Sequence, residues 1–544
     1  MLNGTYAQIA IILTLLTAFC SATEQSGELV SVIPQPVSME VNDGYFEIGP
    51  DTNVVAENDV AAEAAKLIDA LAPAMGFKLS LVDGSQRRRG AISLRLDEDL
   101  SELGDEGYMF RVSPRRISIR AKEPAGLFYG IQTLLQLLSV QTLSRTKVEG
   151  VQWKVPCVRI TDYPRFGWRG LLVDPARHFI PMKDLMRYID IMTLHKYNSL
   201  QIHFTDDTGW RLEIKRYPEL TRTGAWMDFT AIYKIDQAEE SSGNRPGGFY
   251  SQDDIRQIVK YAAERYIKIL PEIEMPAHTG AAIISYPEIG LYSEKLSALP
   301  VLKRWNANER VLAPRPKTVE FMQNVLAEVM ELFPNTYIHI GGDEANIEHW
   351  KNSEEMQAQI REMGLKDEEG LHSWFIKQMD SFLTNHGRRL VGWDEILQGG
   401  LAPGATVMSW RGQQGGITAA NTGHDVVMAP TSHTYFDYYQ GPSEKEPKAI
   451  GGDLPLQKVY EFEPIPKDIT AEKRKHVLGV QGQLWGEFIS NTPHLEYMTY
   501  PRAAALAEIA WSPETTRDYE KFLAKLRCHL KRLDAAGVNY RNLD

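Results

Sequence analysis

The sequence predicts an α/β protein, a (β/α)8 TIM barrel preceded by a small α+β domain. Two observations carry this. From about residue 160, short apolar runs alternate with amphipathic helical stretches, and eight such runs can be found. Before that point strand-like and helix-like stretches are mixed without a repeat.

The first stretch is set apart. Residues 1–22 resemble a secretory signal: "IAIILTLLTAF" is too short to span a bilayer, and Ser21-Ala22 ends in a small residue suited to cleavage. Secretion or periplasmic export is therefore expected. Lipid anchorage through Cys20 is the weaker reading, because Phe19 is bulky where lipoprotein signals favour a small residue. Asn3 carries the one glycosylation sequon, inside this segment.

Residues 23–155 read as a supporting α+β domain. "AAEAAKLIDALAPAMGF" has helical period and a glycine stop, and "GAISLRL" alternates like a strand. "EGYMFRVSPRRISIRA" reads as a hairpin around Ser113-Pro114, followed by the apolar helix "GLFYGIQTLLQLL". Arg87-Arg88-Arg89 reads as a solvated loop.

Residues 156–544 are expected to form the barrel with a C-terminal helix. The eight runs are "RGLLVDPARH", "NSLQIHFTDD", "IKILPEIEMPAH", "YIHIGGDE", "RRLVGWDE", "ATVMSW", "DVVMAP" and "HVLGVQGQLWGE". Strands this continuously apolar are buried on both faces, as in parallel sheets covered by helices. Leu185, Ile189 and Met192, and Phe321, Val325, Val329 and Leu332, mark intervening helices. A doubly wound open sheet is the structural alternative, but eight units fit closure better.

Composition narrows the function. The 544 residues carry a formal charge of −12, which leaves no electrostatic footprint for nucleic acid or an anionic membrane. Outside the first segment only Cys157 and Cys528 remain, neither a disulfide framework nor a zinc site; two buried thiols are preferred over one bridge. No phosphate-binding loop is seen, so no cofactor or metal is expected.

Active sites of barrels lie at the C-terminal strand ends. Here those ends carry Asp174 and Arg177, Asp206 and Asp207, Glu272, Glu274 and His278, then Asp343 and Glu344. Trp393 with Asp394 and Glu395, Trp410, Tyr435 with Asp437, and Trp485 with Glu487 complete the circuit. Polar groups at that density are costly to bury unless they face each other or a ligand. Carboxylates with indoles suggest a sugar: rings stack on indole faces and hydroxyls donate to carboxylates. Gly341-Gly342 lets the backbone turn, so that the adjacent Asp343 and Glu344 reach different atoms of one substrate. The charge of one would then help keep a proton on the other.

"HIGGDEA" resembles the signature of the glycoside hydrolase family 20 β-N-acetylhexosaminidases. The likeness extends through "VDPARHF", "HFTDDTGWR", "PEIEMPAH", "VGWDE", "MSWRG", "YFDYYQ" and "QLWGE". It implies an exo-acting, retaining enzyme whose nucleophile is the substrate's own 2-acetamido oxygen, an exception to the usual two-carboxylate scheme. By resemblance Glu344 is the general acid and Asp343 holds the acetamido N–H. Tyr435 donates to the acetamido oxygen, and Trp393, Trp410 and Trp485 wall its methyl group. Arg177, Asp437 and Glu487 bind outer hydroxyls. His278 with Asp206 tunes the acid, the choice of Asp206 over Asp207 resting on motif register. Asp207 and Trp210 read as structural, Asp174 as a buried partner of Arg177 or backbone, and Glu395 as a supporting group. The expected partner is an oligosaccharide or glycoconjugate, with a homodimer in keeping with the family.

Two rivals come from other classes. His203, Asp206, Glu274 and His278 could ligate a metal in a barrel hydrolase, although no HExxH motif is present and the indole wall is then unexplained. A glycan-binding protein without catalysis is the other, although binding alone needs no acid at the glycosidic oxygen.

Overall fold

A computed structural model describes residues 30–84, 89–226, 247–304 and 309–543. The signal-like segment with Asn3 and Cys20, the basic residues Arg87 and Arg88, and residues 227–246 and 305–308 lie outside the described residues. The chain divides into two compact units, one of Met1–Tyr163 with Ser512–Gly537, the other of Pro164–Trp511 with Val538–Asp544.

The first unit is a seven-stranded mixed sheet with helices. Its hairpin forms as the alternation predicts: Tyr108–Ser113 runs antiparallel to Arg116–Ala121, with Tyr108 opposite Ala121. Tyr108, Phe110, Ile117 and Ile119 from these strands are buried, as is the helix Pro124–Leu137 from Gly126 onward.

Two expected boundaries shift. A domain break at 155 would cut the strand Lys154–Asp162, which pairs with both Ser38–Glu47 and Tyr108–Ser113. The C-terminal helix Tyr519–Ala535 belongs to this unit rather than to the barrel. Its buried Arg532 donates to the Ser31 carbonyl at 2.9 Å, and its Lys525 carbonyl accepts from Ser31 Oγ at 3.0 Å. An amphipathic helix at a chain end shows that one face is covered, not by which unit. Cys157 and Cys528 are free thiols, the first buried and the second half-buried.

The second unit is a closed barrel of eight parallel strands. They are β1 Trp168–Val173, β2 Ser199–His203, β3 Lys268–Glu272 and β4 Tyr337–His339. β5 Arg389–Trp393, β6 Thr406–Ser409, β7 Val426–Met428 and β8 Val477–Gly482 complete the circuit. The ring closes where β8 pairs with β1, Gly479 opposite Trp168. Every expected run supplies its strand. Leu172, Leu270, Val391, Met408 and Val427 fill the interior beside Trp168 and Trp393.

A polar thread also crosses that interior. Trp168 Nε1 donates to Gln481 Oε1, Gln481 to Gln201, and Gln201 to Glu272, at 3.1, 2.6 and 2.6 Å. Glu272 Oε1 then accepts from Trp393 Nε1 at 2.9 Å. Buried polar groups are tolerated here because each finds a partner, and the thread ends by orienting the Trp393 indole at the C-terminal end of β5. Among the described residues no helix is long and apolar enough to cross a membrane.

Candidate active site

The C-terminal strand ends surround a cavity of about 310 Å³. Of the eleven residues singled out above, ten line it: Arg177, His278, Asp343, Glu344, Trp393, Trp410, Tyr435, Asp437, Trp485 and Glu487. Asp206 stands directly behind, its Oδ2 2.9 Å from Arg177 Nη2 and 3.3 Å from His278 Nδ1.

The glycine pair after β4 explains how two adjacent acids share one site. Gly341 and Gly342 have φ of +68° and +91°, and a Cβ on Gly341 would meet Glu274 Oε2 at 1.8 Å. Glu344 itself has φ of +47°, a region that costs a residue with a side chain about 1–2 kcal/mol. The backbone thus coils tightly, and both carboxylates approach the same imidazole. His278 Nε2 is 3.6 Å from Asp343 Oδ2 and 3.3 Å from Glu344 Oε2. Asp343 is sunk, with 13% of its side chain exposed, while Glu344 stands at the mouth with 58% exposed.

Their charge states diverge. Burial, reinforced by the charges of Glu272 and Glu344, raises the Asp343 carboxyl above its usual value even against His278. The hydrogen bond from His278 holds Glu344 below its usual value, burial opposing. Burial would strip His278 of its proton, but Asp343 and the hydrogen bonds to Asp206 and Glu344 outweigh it and raise the imidazole well above its usual range. The proton of this cluster therefore sits on His278 in the free enzyme. The charge of one acid does raise the other, as expected, and the one raised is Asp343 rather than the acid Glu344.

The remaining walls are fixed from behind. Asp174 accepts from Arg177 Nη1 at 2.9 Å and from the Gly486 amide at 2.8 Å, and its Oδ1 lies 2.9 Å from His203 Nδ1. It is thus the buried partner foreseen for it. Arg177 Nη2 reaches toward Glu487 Oε1 at 3.7 Å. Trp410 Nε1 donates to Glu395 Oε2 at 2.9 Å, which gives Glu395 its supporting role. Trp210 is buried with its indole N–H on the Leu212 carbonyl, and Asp207 accepts the Gly280 amide at 3.0 Å; both are structural, as expected.

Trp393 and Trp485 have ring centroids 5.6 Å apart at 51°, and Trp410 stacks near Tyr435 at 6.2 Å. Tyr435 is positioned by pairing beside β8 and accepts from the Trp485 indole. Burial lifts its phenol well above the usual range, so it stays a proton donor. Buried oxygens of Asp343, Asp437, Glu487 and Glu274 lack hydrogen-bond partners among the described residues. Unsatisfied acceptors converging on one cavity imply a ligand rich in donors.

Sequence reasoning undervalued two wall residues. His203 and Glu274 line the cavity, joined at 3.1 Å; the sequence offers Glu274 only as an unassigned strand-end acid and both as metal ligands in a rival reading. Thr431, Tyr438, Ile450, Gly451 and Gly452 were not foreseen. All lie in the long connection after β7, and Ile450, Gly451 and Gly452 are too far along it for the strand end to mark them. Among the described residues three donor groups are close enough to hold a metal ion, namely His203 with Glu272 and Glu274, Asp206 with Asp207 and His278, and His278 with Asp343 and Glu344. Each is already knit by its own hydrogen bonds or ion pairs.

A closed (β/α)8 barrel whose strand ends present paired acids, an arginine and an indole wall defines a glycoside hydrolase. Residues 166–514 match the glycosyl hydrolase family 20 catalytic domain and residues 29–163 match domain 2 of that family, so the chain belongs to glycosyl hydrolase family 20. It is 41% identical over 514 residues to a β-hexosaminidase of Porphyromonas gingivalis, covering 94% of this chain and 64% of that protein. The family 20 exo-β-N-acetylglucosaminidase of Vibrio harveyi, solved with N-acetylglucosamine, superposes with a TM-score of 0.82 at 33% identity, covering 94% of this chain and 78% of that one. The family 20 β-N-acetylhexosaminidase of Streptomyces coelicolor gives 0.81 at 30% identity, with 94% and 98% covered.

Proposed function

We propose that this chain is an exo-acting, retaining β-N-acetylhexosaminidase that releases terminal non-reducing β-linked N-acetylhexosamine by substrate-assisted catalysis. The observation that carries this reading is Asp343. It is a sunken carboxylate with an unsatisfied oxygen beside the more exposed Glu344, in a cavity walled by three indoles. A protein nucleophile would be expected across the sugar from the acid, whereas two neighbouring acids suit a nucleophile carried by the substrate.

In this mechanism the acetamido oxygen attacks C1 as the C1–O bond to the leaving group breaks. Asp343 accepts the acetamido N–H and balances the positive charge that develops on the ring so formed. Tyr435 donates to the acetamido oxygen and fixes its line of attack, and the indoles of Trp393, Trp410 and Trp485 hold the methyl group. Glu344 gives its proton to the departing oxygen. Its carboxylate then takes a proton from water, which attacks C1 and reopens the ring, so two inversions give net retention. Glu344 begins ionised in the free enzyme, with the cluster's proton on His278 at 3.3 Å. A sugar covering the exposed Glu344 removes water from it, which favours transfer of that proton onto the carboxyl. Arg177, Asp437 and Glu487 line the same cavity and would bind the hydroxyls of the terminal sugar, in keeping with exo action.

Export through residues 1–22 and pairing into a homodimer belong to the same reading. The first is supported by the apolar run and small cleavage residues, the second by family resemblance alone. A thiazoline analogue of the cyclised intermediate tests the mechanism. It is expected to compete with substrate far more tightly than N-acetylglucosamine does, and failure to compete would contradict an acetamido nucleophile.

A further inference from the structure

The N-terminal face of the barrel carries a cavity of its own, about 500 Å³ in volume. Trp168, Ser199, Lys268, Tyr337 and Val477, the first residues of β1, β2, β3, β4 and β8, line it. It shares no lining residue with the catalytic cavity, which lies at the other ends of the same strands. We propose that it is a second carbohydrate site, one that takes a sugar unit bearing sulfate or carboxylate and so holds the protein on an acidic glycan with its catalytic face free.

Charge supplies the first argument. In a chain of net charge −12, this cavity is lined by Arg165, Lys268, Arg474 and Lys475 and by no carboxylate. Glu463 engages Arg165 through two hydrogen bonds, of 2.6 and 3.1 Å. Lys268, Arg474 and Lys475 are exposed and form no ion pair among the described residues. Unpaired cations around one concavity focus a positive field in it. The catalytic cavity is the reverse: Glu274, Asp343, Glu344, Asp437 and Glu487 line it against Arg177 and His278. An anionic sugar is thus disfavoured at one face of the barrel and attracted to the other.

The aromatic wall supplies the second. Trp168 and Tyr337 meet edge to face, their ring centroids 5.4 Å apart at 72°. Both rings are fixed in advance, the indole N–H on Gln481 at 3.1 Å and the phenol by a hydrogen bond with Arg389. Rings held in this way offer apolar surface without a cost in ordering, and the C–H face of a pyranose can rest on such a surface. Rings set at 72° form a corner rather than a slot, so a flat nucleobase has no parallel pair to enter. The volume falls within the roughly 300–1,000 Å³ of small-ligand pockets.

Isothermal titration of the full chain with a chondroitin sulfate tetrasaccharide tests the proposal. A uronate at the non-reducing end of that probe keeps an exo-acting hexosaminidase from cutting it. Binding is expected to persist under saturating N-acetylglucosamine and to weaken as salt rises. Lys268→Glu combined with Lys475→Glu should lower the affinity about tenfold or more, exposed ion pairs being worth up to about fivefold each and reversal adding repulsion. Tm and turnover of an aryl β-N-acetylglucosaminide should stay unchanged in that variant. Should it fail to fold, Arg474→Ala repeats the measurement, with a smaller loss of the same sign expected. A hyaluronan tetrasaccharide, which has carboxylate without sulfate, shows which anion the site reads, and binding of either probe upholds the site. Silence with both probes, affinity unmoved in the folded variants, or displacement by N-acetylglucosamine would overturn it. So would inorganic sulfate or neutral cellotetraose binding as tightly as the acidic sugars, or ATP binding more tightly. Wild-type silence on the aryl N-acetylglucosaminide is a separate result: it would remove the activity reading and leave this site standing.

Discussion

His278 Nε2 lies 3.3 Å from Glu344 Oε2, and that hydrogen bond holds the Glu344 carboxyl below its usual value. The same nitrogen is 3.6 Å from Asp343, and Nδ1 is 3.3 Å from Asp206. One imidazole thus serves three carboxylates with opposite tasks. On the proposed mechanism Asp343 must stay ionised and Glu344 must gain a proton, while Asp206 helps keep the ring charged.

The pH profile follows with its signs. In the free enzyme Asp343 works only when ionised. Its carboxyl is raised, so kcat/KM should be lost as pH falls through a value above the ordinary aspartate range. The His278–Glu344 pair works only while it holds one proton. Because His278 is raised well above the imidazole range, that proton, and activity, should persist past neutrality and vanish only at higher pH. His278→Gln removes the cation from both acids. The acid limb then moves up and the alkaline limb moves down, and a pH series of kcat/KM should show the bell narrowing from both sides.

Glu344→Gln is expected to cost about 10²–10⁴-fold on a disaccharide, whose leaving oxygen needs a proton. Loss should be much smaller on an aryl glycoside with an acidic phenol. Comparing the two substrates checks this, and a harmless Glu344→Gln on the disaccharide would refute the acid's assignment.

Asp343→Asn should lower kcat by about a hundredfold or more on both substrates alike, because it removes charge stabilisation that every leaving group requires. Indifference to the leaving group separates its role from that of Glu344.

Gly341→Ala places a Cβ 1.8 Å from Glu274 Oε2 on a backbone at φ +68°. Backbone strain alone should cost roughly 1–3 kcal/mol, with the clash in addition. A drop in Tm accompanied by loss of activity is expected, whereas Gly364→Ala, at φ +65° with open space around it, should lower Tm less and spare activity.

The site was legible in the sequence because each strand-end residue follows an apolar run that announces its strand. Glu344, Tyr435 and Trp485 could be found by counting forward from β4, β7 and β8. His203 and Glu274 were visible by the same signal, but their pairing at 3.1 Å in the wall is a matter of geometry between two strands. Ile450, Gly451 and Gly452 return to the cavity from a long connection, and nothing local marks such a return. The docking of Tyr519–Ala535 was hidden for a related reason: its periodicity shows a buried stripe, but not which unit buries it. The charge order of Asp343 and Glu344 depends on which of them is sunk beside His278, which adjacency in the chain does not determine.

The most direct test is turnover of two aryl β-glycosides differing only at C2, an N-acetylglucosaminide and a glucoside, each with and without EDTA. The account predicts turnover of the acetamido sugar alone, at a rate the chelator leaves unchanged. Comparable turnover of the glucoside would mean that the nucleophile belongs to the protein, and loss with EDTA would mean that one of the carboxylate–histidine clusters works by holding a metal.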